Sequence, residues 1–251
     1  MRTLLAALYS IVVYVLFLAV FLYAIGFVEN VLVPKSIDSG ASGAIASALL
    51  IDAALLVVFA LQHSIMARPG FKRVWTRIVP EQIERSTFVL FASVALALLC
   101  WQWRPLPQMV WSVEDPVGAR ELLVVSWSGW LMLLLSTFLI SHFQLFGLSQ
   151  GLARLLGSAP PEPAFVTPFL YRWLRHPIYA GFILAFWAAP HMTLGHLFFA
   201  IATTGYIFVG IWFEERDLIA HFGERYRQYR GSVGMLFPKI RMAAPRKGVS
   251  H

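Results

Sequence analysis

Apolar residues along this chain fall in long runs rather than in amphipathic stripes. Positions 4–28, 43–66, 87–104 and 121–143 are almost continuously hydrophobic. Each supplies the roughly 20 residues a helix needs to cross about 30 Å of hydrocarbon. Backbone amides in such a solvent must bond within their own segment, so the runs predict helices. A fifth block, from Ile178 to Phe213, has room for two short crossings, and its middle, AAPHMTLG (188–195), carries Pro190 and Gly195. That pair predicts a tight turn. The pattern therefore predicts an all-α polytopic transmembrane bundle of six spans, or five if the last pair is re-entrant. The first run is too long for a signal-peptide core and lacks a small-residue cleavage site, so it is expected to remain as a span.

Composition agrees: 59% of the 251 residues are hydrophobic and only 13% are charged, against about 25% charged in a soluble domain. With six spans, all but three of the 20 Lys and Arg residues fall on one side. The exceptions are Lys35, Arg104 and Arg120. Basic loops stay in the cytoplasm, so both termini are expected there. The net charge of +7 is then a topology signal, because the basic residues hug the membrane ends where anionic lipid attracts them. It does not point to nucleic acid. The single cysteine, Cys100, excludes a disulfide framework. No clustered-ligand spacing points to a metal.

Between the runs, the loops differ in kind. The connections around 29–42 and 103–120 look structural, and the tryptophans of the second suit a membrane interface. Segment 67–86, basic and partly amphipathic, predicts a helix lying on the inner leaflet. No repeat suggests the symmetric halves common in transporters. The proline-rich connection 148–181 is unusually long, and long connections are often functional. It faces the polar tail that begins at Glu214. The chain is thus expected to divide into a four-span unit, 1–147, and a module, 148–251, made of a helical hairpin plus a cytoplasmic tail with an amphipathic segment.

Candidate chemistry gathers in that module. In Arg175-His176-Pro177-x-Tyr179-x-Gly181, Pro177 suits a first helical turn, the residue before it is pushed towards an extended form, and Gly181 permits close approach of a helix or a ligand. Exposed amides at a helix start attract anions, and Arg172 and Arg175 add charge. Glu214 and Glu215 follow the last apolar run directly, with Arg216, Asp217, Tyr226 and Tyr229 close behind. An arginine and a glutamate there form either a structural ion pair or a seat for a zwitterion, whose carboxylate and ammonium use both signs. His63 and His142 stand at inner helix ends, where a histidine is either a hydrogen-bonded terminus or a catalyst. Asp52 lies deep in an apolar run, as an interhelical hydrogen bond or as a polar lining of a substrate path.

RHPIYAG, EERDL and FGERYRQY in that order resemble the C-terminal cofactor module of the isoprenylcysteine carboxyl methyltransferase family, which includes phospholipid methyltransferases and NnrU-type membrane proteins. The likeness covers about 168–238. It implies S-adenosyl-L-methionine at the cytoplasmic membrane edge, with Arg175, His176, Pro177, Tyr179, Gly181, Glu214 and Glu215 around it and Tyr226 and Tyr229 closing the tail over it. LQHSIMAR (61–68) and SHFQLFGLSQ (141–150) look like segments of the bacterial methanethiol S-methyltransferases within that superfamily. They imply a bacterial inner-membrane enzyme making dimethyl sulfide from methanethiol, a small volatile thiol. On that resemblance His142, His63 and Tyr179 are the candidates for catalysis, His142 or a tyrosine taking the thiol proton. Other methyl acceptors, a lipid amine or a prenyl-cysteine carboxylate, remain alternatives, as does a transporter or sensor that uses Asp52 and the histidines.

Overall fold

A computed structural model describes residues 1–41, 43–159 and 165–239. Pro160, Pro161 and Pro163 and the tail residues Arg241, Arg246 and Lys247 lie outside the described residues. Each long apolar run is a helix: α1 (Arg2–Glu29), α2 (Ile45–Ala67), α4 (Glu81–Gln102) and α5 (Pro116–Ile140). The third begins earlier than its apolar run because Pro80 precedes it and Glu81 and Glu84 fill its first turn, where acids complement the helix dipole. The fourth starts at Asp115, whose carboxylate accepts from the Gly118 amide at 2.8 Å, with Pro116 in the first turn. The inner loop forms only a seven-residue helix, α3 (Pro69–Trp75), shorter than the expected surface helix.

The fifth block divides unequally. Helix α8 (Pro177–Trp187) has 11 residues, about 16 Å of rise, whereas α9 (Leu194–Phe222) has 29. Among the described residues five helices, α8 not one of them, are long and apolar enough to cross a membrane. Pro190 cannot continue a helix, and the non-helical stretch it creates needs partners inside the protein. Trp111 Nε1 donates to the Ala189 carbonyl at 3.0 Å, and the Val113 amide donates to the Pro190 carbonyl at 3.0 Å. The expected tight turn is instead a ribbon: β1 (Met109–Ser112) pairs antiparallel with β2 (His191–Thr193). Helix α9 also runs on beyond its apolar part, so Glu214 and Glu215 are helical.

Helix α1 packs on α4, α2 on α4, and α5 on α8. The α5–α8 contact is closest where a Cβ on Gly181 would lie 2.6 Å from the Gly129 carbonyl and the reverse also holds. Small residues permit such approach between membrane helices, where packing rather than the hydrophobic effect drives association. The core between the pairs holds Phe27, Leu99, Trp103, Trp130 and Phe186. Trp103 is therefore a core residue and no interface anchor. Large apolar side chains such as Val12, Val57, Leu131 and Phe138 point outward, as lipid-facing positions do.

Short elements finish the end of the bundle where most of the basic residues lie. They are α6 (His142–Leu145), α7 (Leu148–Ala153), a 3-10 turn at Phe169–Arg172 and α10 (Glu224–Ser232).

Candidate functional site at the basic end of the bundle

Pro177 starts α8 and leaves His176 as its N-cap in a non-helical conformation. The chain before it runs beside the C-terminal segment. Leu174 and Gly234 form a parallel bridge, the Arg175 amide donates to the Gly234 carbonyl at 2.8 Å, and the His176 amide donates to the Met235 carbonyl at 3.1 Å. The tail is thus strapped to the α8 entry by backbone bonds.

Side chains complete the strap. Arg175 Nε meets Glu215 Oε1 at 2.7 Å, and its Nη1 donates to the carbonyls of Arg230 at 3.1 Å and Val233 at 2.6 Å. His176 Nε2 meets the same carboxylate at 3.2 Å, and Arg230 Nε reaches Glu215 Oε2 at 3.0 Å. The Arg175 and Glu215 side chains are only 8% and 9% exposed. A pair so deeply buried is tolerated because each partner is also hydrogen-bonded.

Glu214, one residue earlier, faces elsewhere. It accepts from the Tyr179 hydroxyl at 2.9 Å and stands 3.8 Å from His176 Nδ1, and its side chain stays 45% exposed. Arg230 is 53% exposed. Arg175 and Glu215 are engaged with the fold and almost fully buried, while Glu214 and Arg230 are about half exposed. A groove of about 210 Å³ lined by Trp212, Glu215, Arg216, Ile219 and Arg230 opens on the Arg230 side of α9.

Tyr226 and Tyr229 belong to the strap. Tyr229 donates to the Tyr171 carbonyl at 2.5 Å, and burial pushes its hydroxyl up to about 12, so it stays a donor at neutral pH. Tyr226 is 2% exposed, packed against Phe165 and Tyr229. Gly181 is occupied by the α5 contact. Arg230 and Tyr171 escaped the sequence reading. Arg230 follows Tyr229 in a segment dense in arginine, where nothing distinguishes one basic residue from the next.

His142 and His63 stand apart from this cluster. Just beyond α5, His142 Nε2 meets the Tyr14 hydroxyl and Nδ1 meets Thr137 Oγ1, both at 2.8 Å, and its ring stacks on Phe138 at 4.2 Å. Burial pushes its imidazole below its ordinary value. His63 lies between Phe59 and Phe88, with Nδ1 buried and unpartnered among the described residues. Asp52 of α2 accepts at 2.8 Å from the amide of Arg104, just past the end of α4, and its Oδ2 is buried with no partner among the described residues. Among the described residues no group of three or more His, Cys, Asp or Glu is placed to hold a metal.

No protein-family model and no solved structure matches the chain. Curated relatives do. The chain is 52% identical over 238 residues to the methanethiol S-methyltransferase of Mycobacterium tuberculosis, covering 95% of this chain and 98% of that protein. It is 56% identical over 233 residues to methanethiol S-methyltransferase 1 of Bradyrhizobium diazoefficiens, covering 93% and 82%. A more distant likeness, 32% over 167 residues, is to Nurim of Xenopus laevis, covering 62% and 58%.

Proposed function

We propose, for a chain that belongs to the methanethiol S-methyltransferase family, that it methylates methanethiol to dimethyl sulfide at the basic end of its bundle, with S-adenosylmethionine as donor. The observation that carries the reading is the division of labour between adjacent glutamates. Glu215 is locked to Arg175, His176 and Arg230, while Glu214 is held by the Tyr179 hydroxyl with half its surface open.

The residues fit a zwitterionic sulfonium. Glu214 would hold the ammonium and Arg230 the carboxylate, charge-assisted bonds of the stronger kind. Bound there, the donor supplies an electrophilic methyl: a carbon–sulfur bond forms from the thiol sulfur's electron pair, the sulfonium bond breaks with its pair going to the donor sulfur, and one proton is released. Tyr179, hydrogen-bonded to Glu214, is placed to pass that proton on. We assign the relay to Tyr179 rather than to His142, because both ring nitrogens of His142 are engaged by Tyr14 and Thr137. The α8 entry and the α10 strap exclude water and align the reactants, and alignment alone is worth several kcal/mol, up to about 7–11. A groove of about 210 Å³ is below the roughly 300–1,000 Å³ usual for such ligands, so it accounts for only part of the donor's seat. The basic end then faces the cytoplasm, with the bundle in the inner membrane of a bacterium and both termini inside.

The test is calorimetric titration of the detergent-purified protein with S-adenosylmethionine and its demethylated product, then headspace detection of dimethyl sulfide after adding methanethiol. Binding with sulfide production supports the reading. Binding without sulfide moves the search to another acceptor, and no binding overturns the donor site.

A further inference from the structure

Helix α9 carries Tyr206, Gly210 and Glu214 four residues apart, a spacing that places them one above another along one side over about 12 Å. At the lower end the Tyr206 hydroxyl meets Ser64 Oγ of α2 at 3.0 Å. At the upper end Glu214 accepts from Tyr179 of α8. Between them Gly210 has no side chain. A Cβ built there would meet the Tyr179 hydroxyl at 3.9 Å, and no other neighbouring atom within 4 Å among the described residues. The helix therefore has a notch, floored by one hydroxyl pair and roofed by a hydroxyl bonded to the open glutamate.

We infer that this notch at Gly210, between Tyr206–Ser64 and Tyr179–Glu214, seats the acceptor thiol and restricts it to a one-carbon chain. The inference rests on the methanethiol reading and adds to it the residues that set substrate size. A space left by one missing side chain suits a molecule of two heavy atoms. The Tyr206–Ser64 pair keeps one O–H to donate to a thiolate sulfur, and the Tyr179 oxygen, its own hydrogen given to Glu214, can accept from an S–H. The notch lies directly below Glu214, so an occupant there is next to a donor held by that carboxylate. Each methylene added to the thiol lengthens the occupant between the Tyr206–Ser64 floor and the Tyr179–Glu214 roof, and one methylene in an apolar pocket typically changes selectivity about 10–200-fold.

The experiment measures kcat/KM for methanethiol, ethanethiol and propanethiol in the full-length protein and in Gly210→Ala and Tyr206→Ala, with calorimetric cofactor binding as the check on folding. Gly210→Ala has steric room and removes a helix-weakening glycine, so it folds. It is expected to raise KM for methanethiol at least about 10-fold with cofactor affinity unchanged. Tyr206→Ala opens the floor and is expected to cut the penalty against ethanethiol by a similar factor. If the wild type makes dimethyl sulfide but neither variant changes methanethiol KM or chain-length preference by more than about twofold, against the 10-fold expected, the notch is not the acceptor seat. If the wild type binds the donor and makes no sulfide, the methanethiol reading fails first and this inference with it. Should one variant lose cofactor binding, the other decides alone.

Discussion

At the end of the bundle that carries the ribbon, acids accept hydrogen bonds from groups fixed by the fold. Glu29 Oε1 accepts from Ser126 Oγ and Trp130 Nε1, both at 2.6 Å. Asp38 accepts from Asn30 and Thr193, and Asp52 from the Arg104 amide. These contacts tie α1, α2, α4, α5 and β2 together. At the basic end Glu215 is used in the same way, but Glu214, its neighbour in sequence, is left half open with a tyrosine hydroxyl and a histidine beside it. Burial of an acid in a membrane protein is therefore no sign of chemistry by itself. What distinguishes the two ends is access: the spare Asp52 Oδ2 is buried without a partner among the described residues, whereas the spare capacity of Glu214 is open to a ligand.

Substitutions sharpen that contrast. The largest effect is expected from Glu215→Ala, which leaves Arg175 buried without its carboxylate; breaking such a pair costs about 3–5 kcal/mol. Unfolding of the variant in detergent should show that loss together with failure to bind the donor. Glu214→Gln is expected to behave in the opposite way, with an unchanged unfolding midpoint and a loss in kcat/KM on the order of 100-fold, the equivalent of about 2–3 kcal/mol for a bond to a charged group. A midpoint that falls as far as in the Glu215 variant would erase the distinction between the two glutamates.

At the other end, Glu29→Ala strands the Ser126 and Trp130 donors and should lower stability by about 1–3 kcal/mol, leaving kcat/KM per folded molecule as it was. A tenfold fall in specific activity would show that the ribbon end takes part in the reaction. Gly181→Ala forces a methyl to within 2.6 Å of the Gly129 carbonyl. Overpacking of that kind costs about 1–3 kcal/mol, and thermal unfolding will show whether the α5–α8 contact carries it.

The smallest effect concerns pH. His142 is held below its ordinary value of 6.5 by burial, so the unfolded chain takes up the proton first. Its contribution is complete above about 6.5 and is lost as pH falls below that, with a slope of at most about 1.4 kcal/mol per pH unit. His142→Asn should flatten that part of the stability profile. An unchanged profile would mean the ring is not held neutral by its Tyr14 and Thr137 partners.

Local chemistry and periodicity determined much of this protein from sequence alone. Apolar runs forced α1, α2, α4 and α5, since backbone in hydrocarbon has no other way to satisfy its amides. The order of RHPIYAG, EERDL and FGERYRQY marked where Arg175, His176 and the two glutamates would gather, because Pro177 sets the helix entry and α9 fixes the spacing. What sequence spacing could not reveal depends on contacts between distant segments. The unequal split of the last apolar block needs Trp111 and Val113 as partners for carbonyls at 189 and 190. Trp103 turns inward because α1 and α9 leave room for its ring. Gly181 meets Gly129 across 52 residues of sequence, and Arg230 is distinguished from its basic neighbours only by reaching Glu215. One carboxylate of the pair faces the strap and the other the notch because successive residues on a helix point about 100° apart, and only the packing of α8, α10 and α2 around α9 decides which face is closed and which is left open.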